Sequence, residues 1–117
     1  MKVYDRVNVL GTWYDIISQT EAENPKLYDK DGMCESYSKK LIIDLSSRND
    51  RDAVENEDDY FHFILRHEGF HALFHEIGHG EDYCRDEMLI NMLASLYPKI
   101  RKIMDFLDKI NLDENNT

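Results

Sequence analysis

Arg66-His67-Glu68-Gly69-Phe70-His71-Ala72-Leu73-Phe74-His75-Glu76-Ile77-Gly78-His79 carries the pattern His-Glu-x-x-His twice, once from His67 to His71 and again from His75 to His79. Residues four apart on a helix stand one above the other, with Cβ atoms about 5–6 Å apart. Two imidazoles so placed can close on one cation, with Zn–N distances of about 2.0–2.1 Å. The Glu after the first His projects to the adjoining face, where its carboxylate can take a proton from a water on that ion. With a third ligand and an open coordination position, such a spacing suits hydrolysis. The plain counterpart is a His-rich, partly exposed helix that holds no metal, since short motifs also arise by chance.

The flanking residues predict a helix around the motif. Asn56 is a good N-cap, and Glu57, Asp58 and Asp59 place negative charge at the positive end of the dipole. Phe61, Ile64, Leu65 and Ala72 fall along one face and Phe63, Phe70 and Phe74 along another, which predicts a buried, central helix stopped by Gly78 and Gly80. The first frame lies in mid-helix. The second contains Gly78, and glycine costs about 1 kcal/mol within a helix, so it is the poorer scaffold.

A third ligand is offered by Glu87. From His71 the chain can finish its helix, turn over residues 78–82 and return Glu87 on the first turns of the next helix, a connection of common length. From His79 the distance is too short for that reversal. The elongated pattern HExxHxxGxxH would need glycine at position 74 and histidine at position 77; Phe74 and Ile77 exclude it.

Upstream, residues 1–47 read as β. Val3, Val7 and Val9, then Trp13, Tyr14, Ile16 and Ile17, predict two strands joined near Gly11. Residues 21–32 read as a polar loop ending in a turn at Asp31-Gly32. Residues 33–37 and 41–45 predict a hairpin turning at Ser38 to Lys40, and residues 46–55 a solvated connector. Trp13 is expected in the core. Downstream, Glu81 or Asp82 can cap a second helix with an apolar stripe of Met88, Leu89, Met92, Leu93 and Leu96. Pro98 belongs in a first turn, which predicts a further C-terminal helix, or a bent continuation, burying Ile100, Ile103, Met104 and Leu107. A single domain over 1–110 followed by a frayed tail, 111–117, is the expected organisation.

The chain has 117 residues, 42% hydrophobic, with a net charge of −10. That suffices for one modest core. Without a Lys/Arg cluster, binding to nucleic acid phosphates or anionic membranes is disfavoured. No apolar run approaches the roughly 20 residues of a membrane span, and Met1 to Arg6 lack the apolar core of a signal peptide, so a cytoplasmic location is expected. Cys34 and Cys84 stand apart from any CxxC pair and are expected to be reduced and inert.

His67-Glu68-x-x-His71, Glu87-x-x-x-Asn91 and the preceding hairpin together resemble a minimal gluzincin. More narrowly they are similar to the small phage- and mobile-element-encoded metallopeptidases of the ImmA/IrrE-like group. Residues 65–72 resemble that group's active helix, Ala94-Ser95-Leu96-Tyr97-Pro98-Lys99 the end of its glutamate helix, and Leu10-Gly11-Thr12 with Asp31-Gly32-Met33-Cys34 its strand segments. The resemblance implies an α+β, zincin-like fold: a small N-terminal antiparallel or mixed sheet, an active-site helix, a glutamate helix and a C-terminal helix. It implies Zn2+ held by His67, His71 and Glu87, with Glu68 as general base and then acid. It implies a protein or peptide substrate, such as a repressor or host defence protein, lying along the sheet edge at Leu41–Leu45. Where gluzincins carry Asp to orient the first ligand His, this chain has Asn91, whose oxygen can accept the ring N–H without charge; such changes cost about 10–100-fold in metal affinity or activity.

His75 and His79 can be oxyanion donors, ligands of a second metal, or exposed residues at a helix end. Tyr97 and Tyr83 can be oxyanion donors or packing residues. His62 is expected in solvent, and the acids of 50–59 lack the spacing of a calcium loop. Two functions follow as expectations: a zinc-dependent peptidase acting on a specific regulatory protein, and, from another class, a zinc-stabilised protein-binding module that has lost turnover.

Overall fold

The computed structural model describes residues 1–44, 57–78, 83 and 85–112. The N-terminal strands β1 (Lys2–Val9) and β2 (Thr12–Ser18) are antiparallel and meet at Leu10 and Gly11. Both turn residues have positive φ, 52° and 98°, as a two-residue hairpin turn matched to strand twist requires. Gly11 takes the larger value without a Cβ to strain. Asn8 Oδ1 accepts from the Gly11 N–H at 2.7 Å. A second antiparallel hairpin joins β3 (Gly32–Glu35) to β4 (Lys40–Ile43). β4 runs parallel to β2, giving a mixed sheet in the order β1-β2-β4-β3. The α+β class and the small mixed sheet are as the sequence predicts. β4, however, is an interior strand, so Leu41–Ile43 offers no free edge; among the described residues the edge strands are β1 and β3. Leu45 lies outside the described residues.

Successive strand residues point to opposite faces. On one face Val9, Tyr14 and Leu41 meet Ala72 of the first helix. On the other, Ile17 and Ile42 are covered by Leu27, which a short 3-10 turn at Pro25–Leu27 brings down from the polar loop. Trp13 departs from expectation: it is 51% exposed, with the Arg6 guanidinium 4.6 Å over its ring. Trp13 and Tyr14 point to opposite faces of the sheet, and it is Tyr14 that packs in the cluster against α1.

Helix α1 (Glu57–Ile77) carries Glu57, Asp58 and Asp59 in its first turn and is followed by Gly78 at φ 87°. Asn56 and Gly80 lie outside the described residues. Full burial is confined to one stripe, Ile64, Glu68 and Ala72, at four-residue spacing. The C-terminal end of α1 is fixed to the sheet by Glu76. Its carboxylate accepts from Thr12 Oγ1 at 2.7 Å, Tyr14 Oη at 2.6 Å and Lys39 Nζ at 3.1 Å.

Helix α2 (Glu87–Asp108) is capped by Asp86, whose Oδ1 accepts from the Leu89 N–H at 3.0 Å. The expected caps Glu81 and Asp82 lie outside the described residues. The face against α1 is Ile90 and Ala94, whereas Met88 and Met92 are exposed. The separate C-terminal helix is corrected: among the described residues α2 runs through Pro98 without a break. Proline in a helix deprives the carbonyl four residues earlier of its donor, here Ala94. Arg66 of α1 replaces it, donating from Nε to the Ala94 oxygen at 2.9 Å. A tertiary contact thus offsets the local break. The burial expected beyond Pro98 is corrected as well, since Ile103, Met104 and Leu107 are more than half exposed. Among the described residues no helix is long and apolar enough to cross a membrane.

Candidate metal centre

One turn of α1 separates His67 from His71, and the first turn of α2 delivers Glu87 to both. Glu87 Oε2 lies 3.0 Å from His67 Nε2, and Oε1 2.9 Å from His71 Nε2. The two Nε2 atoms are 3.3 Å apart. For a tetrahedral zinc with bonds of about 2.0–2.1 Å, neighbouring donor atoms stand about 3.3–3.4 Å apart. Each pair of side chains thus approaches about as closely as neighbouring zinc ligands do, the carboxylate offering a different oxygen to each histidine, and one ligand atom from each of the three lies within 4.8 Å of the others. The His67 and His71 side chains are nearly buried, while Glu87 is 61% exposed, which leaves the outer side of the set open. Burial first, and the neighbouring His71 second, hold the His67 pKa below the usual histidine value against the pull of Glu87. That favours the neutral imidazole, the form that binds metal.

Glu68 follows directly and is 6% exposed. Its Oε2 lies 4.0 Å from His67 Nε2. Burial pushes its carboxyl up to about 8, the Glu87 charge adds to the rise, and Lys30 opposes it. The carboxyl packs on β3 at Gly32, where a Cβ would lie 2.9 Å from Ile64 Cγ2, 3.0 Å from the Ile42 oxygen and 3.3 Å from Glu68 Oε2. A glycine there is what lets the helix and its carboxyl approach the strand. Tyr60 donates to the Asp31 carboxylate and ties the start of α1 to the residue before β3. Between β3, α1 and α2 lies a cavity of about 470 Å3, in which His67, Glu68, His71, Glu87 and Asn91 face Gly32, Met33 and Cys34.

Other sequence candidates are placed differently. Asn91 stands beside His67 and favours its charged form, yet His67 Nδ1 is buried without a hydrogen-bond partner among the described residues. Asn91 therefore stands within reach of the ring, as expected, without a bond of ordinary length and angle to that nitrogen. His75 is exposed, apart from the three donors, and His79 lies outside the described residues. Tyr97 packs its ring against Phe70, centroids 6.3 Å apart, and Tyr83 packs against Phe74 at 5.8 Å; neither lines the cavity. His62 is exposed, with Nδ1 2.8 Å from the Asp58 oxygen. Cys34 lines the cavity, and Cys84 lies outside the described residues.

Three residues escaped the sequence reading. Gly32 was visible as part of a turn, but its close packing on Glu68 depends on the strand meeting α1. Lys30 and Glu76 act through partners distant in sequence, and no local pattern marks them. Compared with protein-family models, with curated proteins and with solved structures, the chain matches none.

Proposed function

We propose that the chain is a zinc-dependent hydrolase of peptide bonds, a minimal gluzincin of the ImmA/IrrE-like kind acting in the cytoplasm. The observation that carries this reading is the convergence of His67, His71 and Glu87 at 2.9–3.3 Å beside a buried glutamate. His67 and His71 as neutral rings and Glu87 as carboxylate would hold a divalent cation, and a nitrogen, nitrogen, oxygen donor set suits zinc. When bound, that ion supplies a Lewis acid and a positive charge that draws Glu68 toward its carboxylate form. Glu68 accepts the proton of the attacking water and returns it to the leaving amine. Its burial keeps bulk water from competing for that proton. β3 is the free edge beside the cavity, and an extended segment of a protein substrate can join it as a further strand. A repressor or host defence protein in a phage setting is the substrate class that the resemblance supplies.

Metal analysis after expression with added zinc tests this directly. About one zinc per chain is expected in wild type and in Glu68→Gln, with loss from His67→Ala, His71→Ala and Glu87→Ala. Wild type with no zinc ends the proposal. A second reading, a zinc-stabilised binding module without turnover, is favoured by one observation, the unpartnered Nδ1 of His67. Metal-bound histidines are normally held at that nitrogen, and its loss costs about 10–100-fold in affinity or activity. If Glu68→Gln keeps the cellular effect while His71→Ala abolishes it, the second reading holds.

A further inference from the structure

We infer that the chain forms an antiparallel homodimer through the C-terminal half of α2. The apolar residues of this helix recur at alternating steps of four and three, from Leu89 and Leu93 through Leu96, Ile100 and Ile103 to Leu107, and Ile110, two residues past the helix end, continues the spacing. That spacing makes a straight seam of the kind by which paired helices interlock. The seam has two fates. Leu89 and Leu93 are half-buried beside Ile90 and Ala94, the residues that pack on α1. Beyond Pro98 the same seam is half-buried at Ile100 and then bare: Ile103 is 56% exposed, Leu107 54% and Ile110 56%, flanked by Met104 at 51% and Phe106 at 66%.

The rest of the chain is a poor candidate to cover it. Outside the described residues the sequence holds only Leu45, Ala53, Val54 and Cys84 as apolar side chains. The molecule is drawn out to 64 × 35 × 26 Å with a radius of gyration of 17.0 Å. A compact chain of this length would have about 13 Å. A lone helix of a few turns is marginal in water, so a half-helix standing off the body needs a partner surface.

A second copy of the chain fits by area and by charge. The bare side chains of Ile103, Met104, Phe106, Leu107 and Ile110, each 51–66% exposed, form an apolar patch of roughly 500 Å2. Two such patches would bury on the order of 1,000 Å2 in total, the size of a small specific interface. The chain as a whole carries −10, but residues 99–109 carry four basic side chains, Lys99, Arg101, Lys102 and Lys109, against Asp105 and Asp108. This is where two acidic molecules can approach. Parallel pairing would set the two acidic bodies side by side, whereas antiparallel pairing sends them to opposite ends. About a twofold axis at Asp105, Ile103 would meet Leu107 of the second copy and Ile100 would meet Ile110, while Met104 would meet Phe106 beside the seam. Asp105 itself points away from the seam.

Sedimentation velocity on the full chain from about 1 to 100 µM tests the inference. The expected result is twice the 13.9 kDa chain mass at the upper concentrations. The double variant Ile103→Glu, Leu107→Glu should sediment at the single-chain mass with unchanged far-UV circular dichroism and zinc content. Small-angle scattering of the dimer should give two bodies at opposite ends of a rod. Wild type at the single-chain mass up to 100 µM, a double variant that keeps the dimer mass, or scattering from two bodies side by side would each overturn it. Zinc loading is read separately, so failure here leaves the hydrolase proposal standing, and the reverse.

Discussion

Pro98 and Arg66 should behave as one unit. Pro98 brings no N–H, so the Ala94 carbonyl, in a residue with no exposed surface, depends on Arg66 Nε at 2.9 Å. Replacing Arg66 with Met keeps much of the apolar stem and removes the donor. Losing a hydrogen bond from a charged group costs about 1.5–3 kcal/mol, and here a buried carbonyl is also left unsatisfied, so about 2–3 kcal/mol is expected. At roughly 4 °C or more per kcal/mol for a domain of this size, the melting temperature should fall by about 8–12 °C. Pro98→Ala restores the N–H at position 98, and with it the internal helix bond to Ala94. In that background Arg66→Met should cost only about 0.5 kcal/mol, so the cycle should show a coupling of about 1.5–2.5 kcal/mol. Urea unfolding of the four proteins, followed by far-UV circular dichroism, measures it. The same rescue should appear in zinc affinity, because α2 carries Glu87: weaker in Arg66→Met, restored in Arg66→Met with Pro98→Ala. Additivity within about 0.5 kcal/mol would refute the claim that Arg66 substitutes for the missing donor.

Glu76 supplies a pH signature. Its carboxyl is held down to about 2, chiefly by the Tyr14 hydroxyl and then by Thr12, with Lys39 helping. A folded pKa below the unfolded one means the stabilisation is complete above the unfolded value, about 4.3, and fades as pH falls toward 2. Glu76→Gln should therefore be less stable than wild type by about 1–2 kcal/mol at pH 6, and the difference should close between pH 4.5 and 2. A difference that stays constant in urea unfolding across that range would sink the assignment. Gly32→Ala would set a Cβ 3.0 Å from the Ile42 carbonyl oxygen and 3.3 Å from Glu68 Oε2. It should cost about 1–3 kcal/mol by overpacking and lower peptide hydrolysis while zinc content stays at the wild-type level; a variant equal to wild type in both stability and turnover would contradict the proposed tight fit.

What could be read from the sequence was what local chemistry decides. Leu10-Gly11 between two β-branched runs specifies a hairpin, because few residues accept the positive φ that its turn needs. The four-residue spacing of His67 and His71, with one short connection to Glu87, marked three side chains that lie together in the fold. The reading failed where a partner far along the chain decides. Pro98 argues for a helix end only while Arg66 is out of view. Tyr14 rather than Trp13 enters the core because a carboxylate from α1 awaits its hydroxyl. The heptad spacing of α2 gave a seam but could not divide it into a half spent on α1 and a half left bare, since both halves have the same pattern.

The doubled motif shows why spacing alone cannot assign a role. Eight residues of helix advance about 800°, two full turns and about 80° more. His75 and Glu76 therefore repeat His67 and Glu68 in sequence but not in direction. The first glutamate is turned onto Gly32 and the cavity, where burial raises its pKa to about 8. The second is turned toward the ends of two hairpins, where three donors lower its pKa to about 2. The same side chain is thus buried and held toward its protonated form at one position and locked as an ionised clamp at the other. A repeat of seven or eleven residues would have returned the second frame to nearly the first frame's face. At eight, Glu76 reaches the sheet and His75 is left exposed, so the proposed chemistry falls to the first frame.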